Sequence, residues 1–226
     1  MLKRVFKWLL GLFLLGVVLL VIFLLSLDTI LRVMMVQNIR AKTGLDTEIG
    51  KFHLGLLEPV VTIKDLKIHN PADFGGAPFM SIPEIHVEYE RAALARNEIH
   101  VTLMRFNLGE LDIVKNTAGR TNIFSLGIAV PSLPNKEQLV KSQGLAEIKK
   151  QTGLEFKGID ALHVSIGTAK YIDLADPKNN REQIIGIENW PVPHVNTLAD
   201  LAGLAGFIAL RSDGFFNSFD MPVNLK

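Results

Sequence analysis

From Trp8 to Leu27 the chain reads WLLGLFLLGVVLLVIFLLSL, with no charge and no proline, directly behind Lys3, Arg4 and Lys7. A hydrocarbon core of roughly 30 Å takes about 20 apolar residues as helix, so residues 8–27 predict a transmembrane helix preceded by a short cytoplasmic segment, 1–7. A secretory signal peptide is the rival reading. Its apolar region usually covers about 7 to 15 residues and ends at a small-x-small site. The run here is longer and closes on Leu25-Ser26-Leu27-Asp28, which favours an uncleaved anchor.

Past the run, the apolar spacing becomes helical and then strand-like. Ile30, Val33, Met34 and Ile39 keep helical spacing over 28–42, and Thr43-Gly44 supplies a glycine stop. This helix either simply connects two parts or packs an apolar side on the first strands. From Leu45 to about Leu126 the period is two. Ile85, Val87 and Tyr89 alternate with Glu84, His86, Glu88 and Glu90, giving a strand with one apolar and one wet face. The phase breaks twice: Ile99, Val101 and Leu103 hand over to Met104, Phe106 and Leu108, and Val61 and Ile63 hand over to Leu66 and Ile68 across Lys64-Asp65. A slip of one residue turns side chains over, so bulges are expected near Leu103 to Arg105 and near Lys64-Asp65, and bulged antiparallel strands coil into a curved sheet.

Pro131-Ser132-Leu133-Pro134 and a polar, helix-prone stretch over 136–150 interrupt the strands, dividing the chain into a first sheet part, 43–130, a linker, 131–151, and a second part, 152–226. In the second part Leu162, Val164, Ile166, Ile172 and Leu174 fall on one face, and Asp176-Pro177-Lys178-Asn179-Asn180 reads as a turn before Gln183 to Trp190. Thr152-Gly153-Leu154-Glu155 echoes Thr43-Gly44-Leu45-Asp46, which marks either a repeated module or a chance likeness of short strings. Residues 197–210, TLADLAGLAGFIAL, predict a helix too short to cross a bilayer. Its small residues recur every four positions, so it packs on the sheet, lies in a membrane interface or meets the anchor of a neighbouring copy.

Composition narrows the function classes. The net charge is +1 over 226 residues and basic side chains are scattered among acids, which speaks against nucleic acid as a partner. There is no cysteine, so an exported domain folds on core packing alone, as suits a bacterial periplasm. Positive flanking charge before the span predicts a cytoplasmic N-terminus and an exported bulk, even with Arg32, Arg40 and Lys42 on the far side. The chain lacks a G-x-S-x-G elbow, a Gly-rich phosphate loop and an H-E-x-x-H helix. His53, His69, His86, His100, His163 and His194 are dispersed, and Asp160, Asp173 and Asp176 sit near turns, where carboxylates cap backbone groups. The expectation is a protein without catalysis, metal or cofactor.

Several strings resemble the start of AsmA-family envelope proteins over about residues 1–126. They are the Thr43-Gly44 restart, Ile68-His69-Asn70-Pro71 followed by Phe74-Gly75, the segment Ile82 to Tyr89, and Gly119-Arg120-Thr121-Asn122; residues 159–174, GIDALHVSIGTAKYID, resemble a later family strand. The resemblance implies a taco-like antiparallel β-sheet, a half-barrel whose concave apolar face holds acyl chains. It also implies phospholipid as the partner, self-association or other envelope proteins besides, and a single-pass place in the bacterial inner membrane. About ten strands, each adding ~4.8 Å, give at most about 50 Å, so one copy is too short to cross a periplasm.

The expected fold is thus mainly β with few helices: an N-terminal transmembrane helix, a curved antiparallel sheet and short helices at 136–150 and 197–210. A sheet with one apolar face must cover it with a helix, a second sheet, a partner or lipid. Candidate groove residues are Ile85, Val87, Tyr89, Ile99, Val101, Leu103, Phe106, Leu111, Ile113, Val164 and Ile166. The competing reading makes the same residues the core of a closed β-sandwich, a membrane-anchored adaptor similar to late-embryogenesis-abundant-type domains.

Overall fold

A computed structural model describes residues 2–125, 149–150, 152–212 and 215. The apolar run and the connecting segment form one continuous helix, α1 (Leu2–Thr43), 42 residues long. At 1.5 Å per residue that is about 63 Å, roughly twice the hydrocarbon thickness. The helix is long and apolar enough to cross a membrane. Its last turns lean on the domain, where Met35 and Val36 pack on the first strands.

Six strands follow: β1 (Thr47–Leu54), β2 (Val60–His69), β3 (Pro78–Tyr89), β4 (Glu98–Lys115), β5 (Glu155–Asp173) and β6 (Arg181–Val195). They form one sheet in sequence order that does not close on itself. The described residues hold six strands where about ten were expected, because the strands are long, β5 reaching 19 residues. Short helices punctuate the sheet: α2 (Arg91–Ala95) between β3 and β4, α3 (Asn122–Ser125) after β4, and α4 (Ala202–Arg211) after β6. The segment 197–210 is therefore a 3-10 turn, Leu198–Leu201, running into α4. The helix expected over 136–150 lies outside the described residues except at 149–150.

Four junctions are antiparallel, and β4 pairs with β5 in parallel, so the sheet is mixed where a fully antiparallel one was expected. Local alternation carries no information on the direction in which two strands meet. Parallel pairing needs a crossover of a dozen or more residues, and the long segment between Lys115 and Glu155 supplies it.

The restart strings have one local geometry. Gly44 N–H donates to Arg40 O (2.8 Å) and Leu45 N–H to Thr43 Oγ1 (3.2 Å); Gly153 N–H donates to Lys149 O (2.9 Å) and Leu154 N–H to Thr152 Oγ1 (3.1 Å). Both glycines have φ near +70°, the left-handed helix stop.

A transverse line of Gly50, Asp65, Pro83, Gly109 and Gly167 creases the sheet across β1 to β5, and the matching turn-over in β6 lies at Glu188-Asn189. Pairing is intact on both sides of it, for example Lys51 with Lys64 and Ile49 with Leu66, while Gly50 and Asp65 between them stand unpaired in the ladder. Asp65 has φ +55° and Asn189 φ +48°, so the backbone turns over there. A Cβ on Gly167 would lie 2.3 Å from Gly109 O, so two backbones approach at a distance only glycine permits. The apolar side changes from odd to even positions, or the reverse, at this line in β1 to β5 and at Glu188-Asn189 in β6: Ile49 gives way to Phe52, Ile63 to Leu66, Ile82 to Ile85, Leu108 to Leu111, Ile166 to Ala169 and Ile187 to Trp190. The slip expected at Lys64-Asp65 is one of these six, produced by a left-handed residue and not by an inserted one. The other expected bulge is present one residue early, at Thr102, where Glu88 pairs with Leu103 and Tyr89 with Val101.

The apolar face of the sheet

Residues directly opposite in neighbouring strands share a face, so register defines what each face presents. On one side of the crease, Phe52, Ile63, Ile85, Phe106, Val164 and Trp190 form an unbroken row across all six strands. Next to it, Leu54, Val61, Val87, Met104, Leu162 and Val192 form a second. The reverse face is wet. Thr62 Oγ1 meets His86 Nδ1 at 2.8 Å, Lys64 pairs with Glu84 at 3.4 Å, and His163 Nδ1 meets Asn189 Oδ1 at 2.8 Å.

Two helices cover the margins of the apolar face. At the β1 edge Met35 and Val36 of α1 pack with Ile49, Leu66 and Ile82. At the β6 edge Leu204 of α4 joins Leu162, Val164, Val192 and Val195, and Phe207 stacks on Trp190 with ring centroids 4.1 Å apart. Among the ways open to it, the C-terminal apolar helix therefore packs on the sheet. Its small residues do not make that contact, because a Cβ on Gly203 or Gly206 meets nothing within 4 Å.

The expected groove residues separate into three groups. Val101, Ile113 and Val164 are buried, and Ile85, Phe106, Leu111 and Ile166 pack against buried clusters. Val87, Tyr89 and Ile99 are half-buried and belong to none of those clusters; with Val61 they floor a trough between α1 and α4 on the near side of the crease. Leu103 stands opposite Glu88, whose carboxylate meets His86 Nε2 at 3.2 Å, and so lies on the wet face. The bulge at Thr102 turns it over. Leu54, Val61, Met104, Leu162 and Val192 complete the second row and were absent from the expected set, although Met104 and Val61 were visible as members of the phase slips.

Beyond the crease the sheet is sealed. Phe79, Ile113, Ile123, Ala169, Ile185 and Ile187 form a buried cluster with Phe215. Beside it the two strings His69-Asn70-Pro71 and Gly119-Arg120-Thr121-Asn122 meet. Asn122 is fully buried; its Oδ1 accepts from Val114 N–H (3.1 Å) and Ile123 N–H (2.8 Å), and its Nδ2 donates to Asn70 Oδ1 and Asp112 O, both at 2.8 Å. These asparagines lock the end of β2 to the end of β4. Burial pushes the neighbouring Asp112 carboxyl up to about 6, with Glu110 adding to the rise and Lys170 opposing it.

On the wet face His100 bridges Glu90 (2.9 Å), between β3 and α2, and Asp160 (3.0 Å) of β5. The Glu90 and Asp160 hydrogen bonds hold its pKa above the usual histidine value. Among the described residues no group of three or more His, Asp or Glu is placed to hold a metal ion. No family of known proteins, no curated protein and no solved structure matches this chain.

Proposed function

We propose that the chain is an AsmA-like envelope protein that binds phospholipid on the apolar face of its sheet, held at the bacterial inner membrane by α1 with the sheet on the periplasmic side. Its role in this reading is phospholipid transport or maintenance of the outer membrane. The observation that carries the proposal is the trough. Two apolar rows cross six strands without a polar interruption, both edges are covered by helices, and the middle is left half-buried at Val61, Val87, Tyr89 and Ile99. Large apolar surfaces left open on a monomer mark binding sites, and a strip several strands wide with no convergent polar groups suits an acyl chain better than a polar ligand. The sandwich alternative needs a second sheet over this face, and the described residues contain one sheet.

Site-directed photocrosslinking of the full-length protein in labelled phospholipid bilayers tests the proposal. A photoreactive residue in place of Val87 or Ile99 captures lipid, and one in place of His86 or Arg105 on the wet face does not. Equal labelling from both faces, or none from Val87 and Ile99, overturns it.

A further inference from the structure

The turn between β1 and β2 carries an unusual exposure. Gly55 N–H donates to Val60 O (2.8 Å), closing the turn around Leu56, Leu57, Glu58 and Pro59. Leu56 is 49% exposed and Leu57 91%, more than any other large apolar side chain among the described residues, those of the apolar run of α1 included. The turn is nonetheless held in place. Arg91 at the start of α2 donates to Leu56 O (2.7 Å), and Tyr89 N–H donates to Pro59 O (3.0 Å).

Contacts with α1 fix its level. Asp28, the first charged residue after the apolar run, accepts from Leu54 N–H (3.0 Å) and faces His53 Nδ1 (3.0 Å); one turn on, Arg32 donates to Gly50 O (2.9 Å). Farther along, Arg40 pairs with Asp46. Helix and strand thus run side by side in opposite directions, and β1 ends level with the last apolar residue of the run. The turn projects past that level. An extended residue advances about 3.3 Å, and the headgroup zone is about 5–7 Å thick on each side, so two or three residues suffice to enter it.

We propose that this turn is a second membrane contact, with Leu56 and Leu57 seated in the interface of the bilayer that α1 spans, presenting the open end of the trough to that lipid surface. The proposal rests on the reading of α1 as a membrane span. Charges around the turn are mixed, Arg91 and Arg96 against Glu58 and Glu90, so the contact is apolar and a zwitterionic phospholipid bilayer is its partner.

The chain has no cysteine, so one introduced thiol carries one label. The full-length protein in phosphatidylcholine vesicles is labelled with an environment-sensitive fluorophore at Leu20→Cys, Leu57→Cys or Ile184→Cys, the last exposed on β6 beyond the crease, and quenched by nitroxide lipids of known depth. The expected result is deep quenching at 20, shallow quenching at 57 at least about twofold above that at 184, and little change at 57 when anionic lipid is added. Quenching at 57 no greater than at 184, with 20 quenched, overturns the turn contact and leaves the span standing. No quenching at 20 overturns the span itself. Quenching at 57 that requires anionic lipid overturns the apolar contact.

Discussion

The two sides of the crease are made by the same six strands and follow the same alternation, yet one is sealed and the other is open. Beyond the crease Ile113 is 2% exposed, Ile185 1% and Asn122 0%, and Asn122 is locked by directed hydrogen bonds. On the near side Val61, Val87, Tyr89 and Ile99 are half-buried on the apolar face, with no helix across them among the described residues. Strand chemistry alone does not separate a core from a binding surface. What separates them is coverage: α3 with its asparagine, Phe215, Met35 and Val36 of α1 and Phe207 and Ile208 of α4 pack on the sealed side, while on the open side α1 and α4 lie at the margins.

The comparison breaks most readily at Asn122. Asn122→Ala leaves Val114 N–H, Ile123 N–H, Asn70 Oδ1 and Asp112 O without their partner, and a loss of about 4 kcal/mol is expected in denaturant unfolding of the detergent-solubilised chain. Gly167→Ala forces a methyl group against Gly109 O and is expected to cost about 3 kcal/mol in the same assay, with both sides weakened because the crease is shared.

Asp112 sharpens the sealed side from the opposite direction. Its folded carboxyl keeps a proton to about pH 6, whereas the ordinary value is 3.8. Folding stability from this group is therefore full below about pH 4 and declines as pH rises through 6, by about 3 kcal/mol. Asp112→Asn is expected to recover that amount in unfolding at pH 7.5 and to change nothing at pH 3.5. The smallest effect belongs to the open side. Val87→Asp is expected to cost only about 1 kcal/mol, because the residue is half-buried, while abolishing lipid capture from the trough. Global unfolding of that variant, measured by loss of the cooperative transition, would mean that Val87 sits in a closed core.

Part of this was readable in advance. The uninterrupted run at 8–27 predicts the apolar helix, and alternation at 84–90 predicts β3 with its faces correctly assigned. The hand-over at Lys64-Asp65 predicts that the strand turns over, but an inserted residue and a left-handed one leave the same trace in the sequence. Leu103 was misplaced for a related reason: its side depends on whether the bulge falls at Thr102 or beyond, and alternation tolerates both. Nothing local links Asn70 to Asn122, since that bond spans 52 positions. The parallel junction was invisible for the same reason, and so was the placement of α1 and α4 at opposite edges of the sheet.

That parallel junction also orders the making of the molecule. Strands β1 to β4 form a meander of near neighbours, whereas β4 meets β5 through partners such as His100 and Asp160, sixty positions apart. Close contacts tend to form early and distant ones late, so the meander is expected to assemble before β5 pairs with it, leaving one long flank unpaired. Until the last two strands arrive, β4 offers an open row of backbone donors and acceptors to any passing chain, and the newly made protein is most prone to stick to its own kind in that interval.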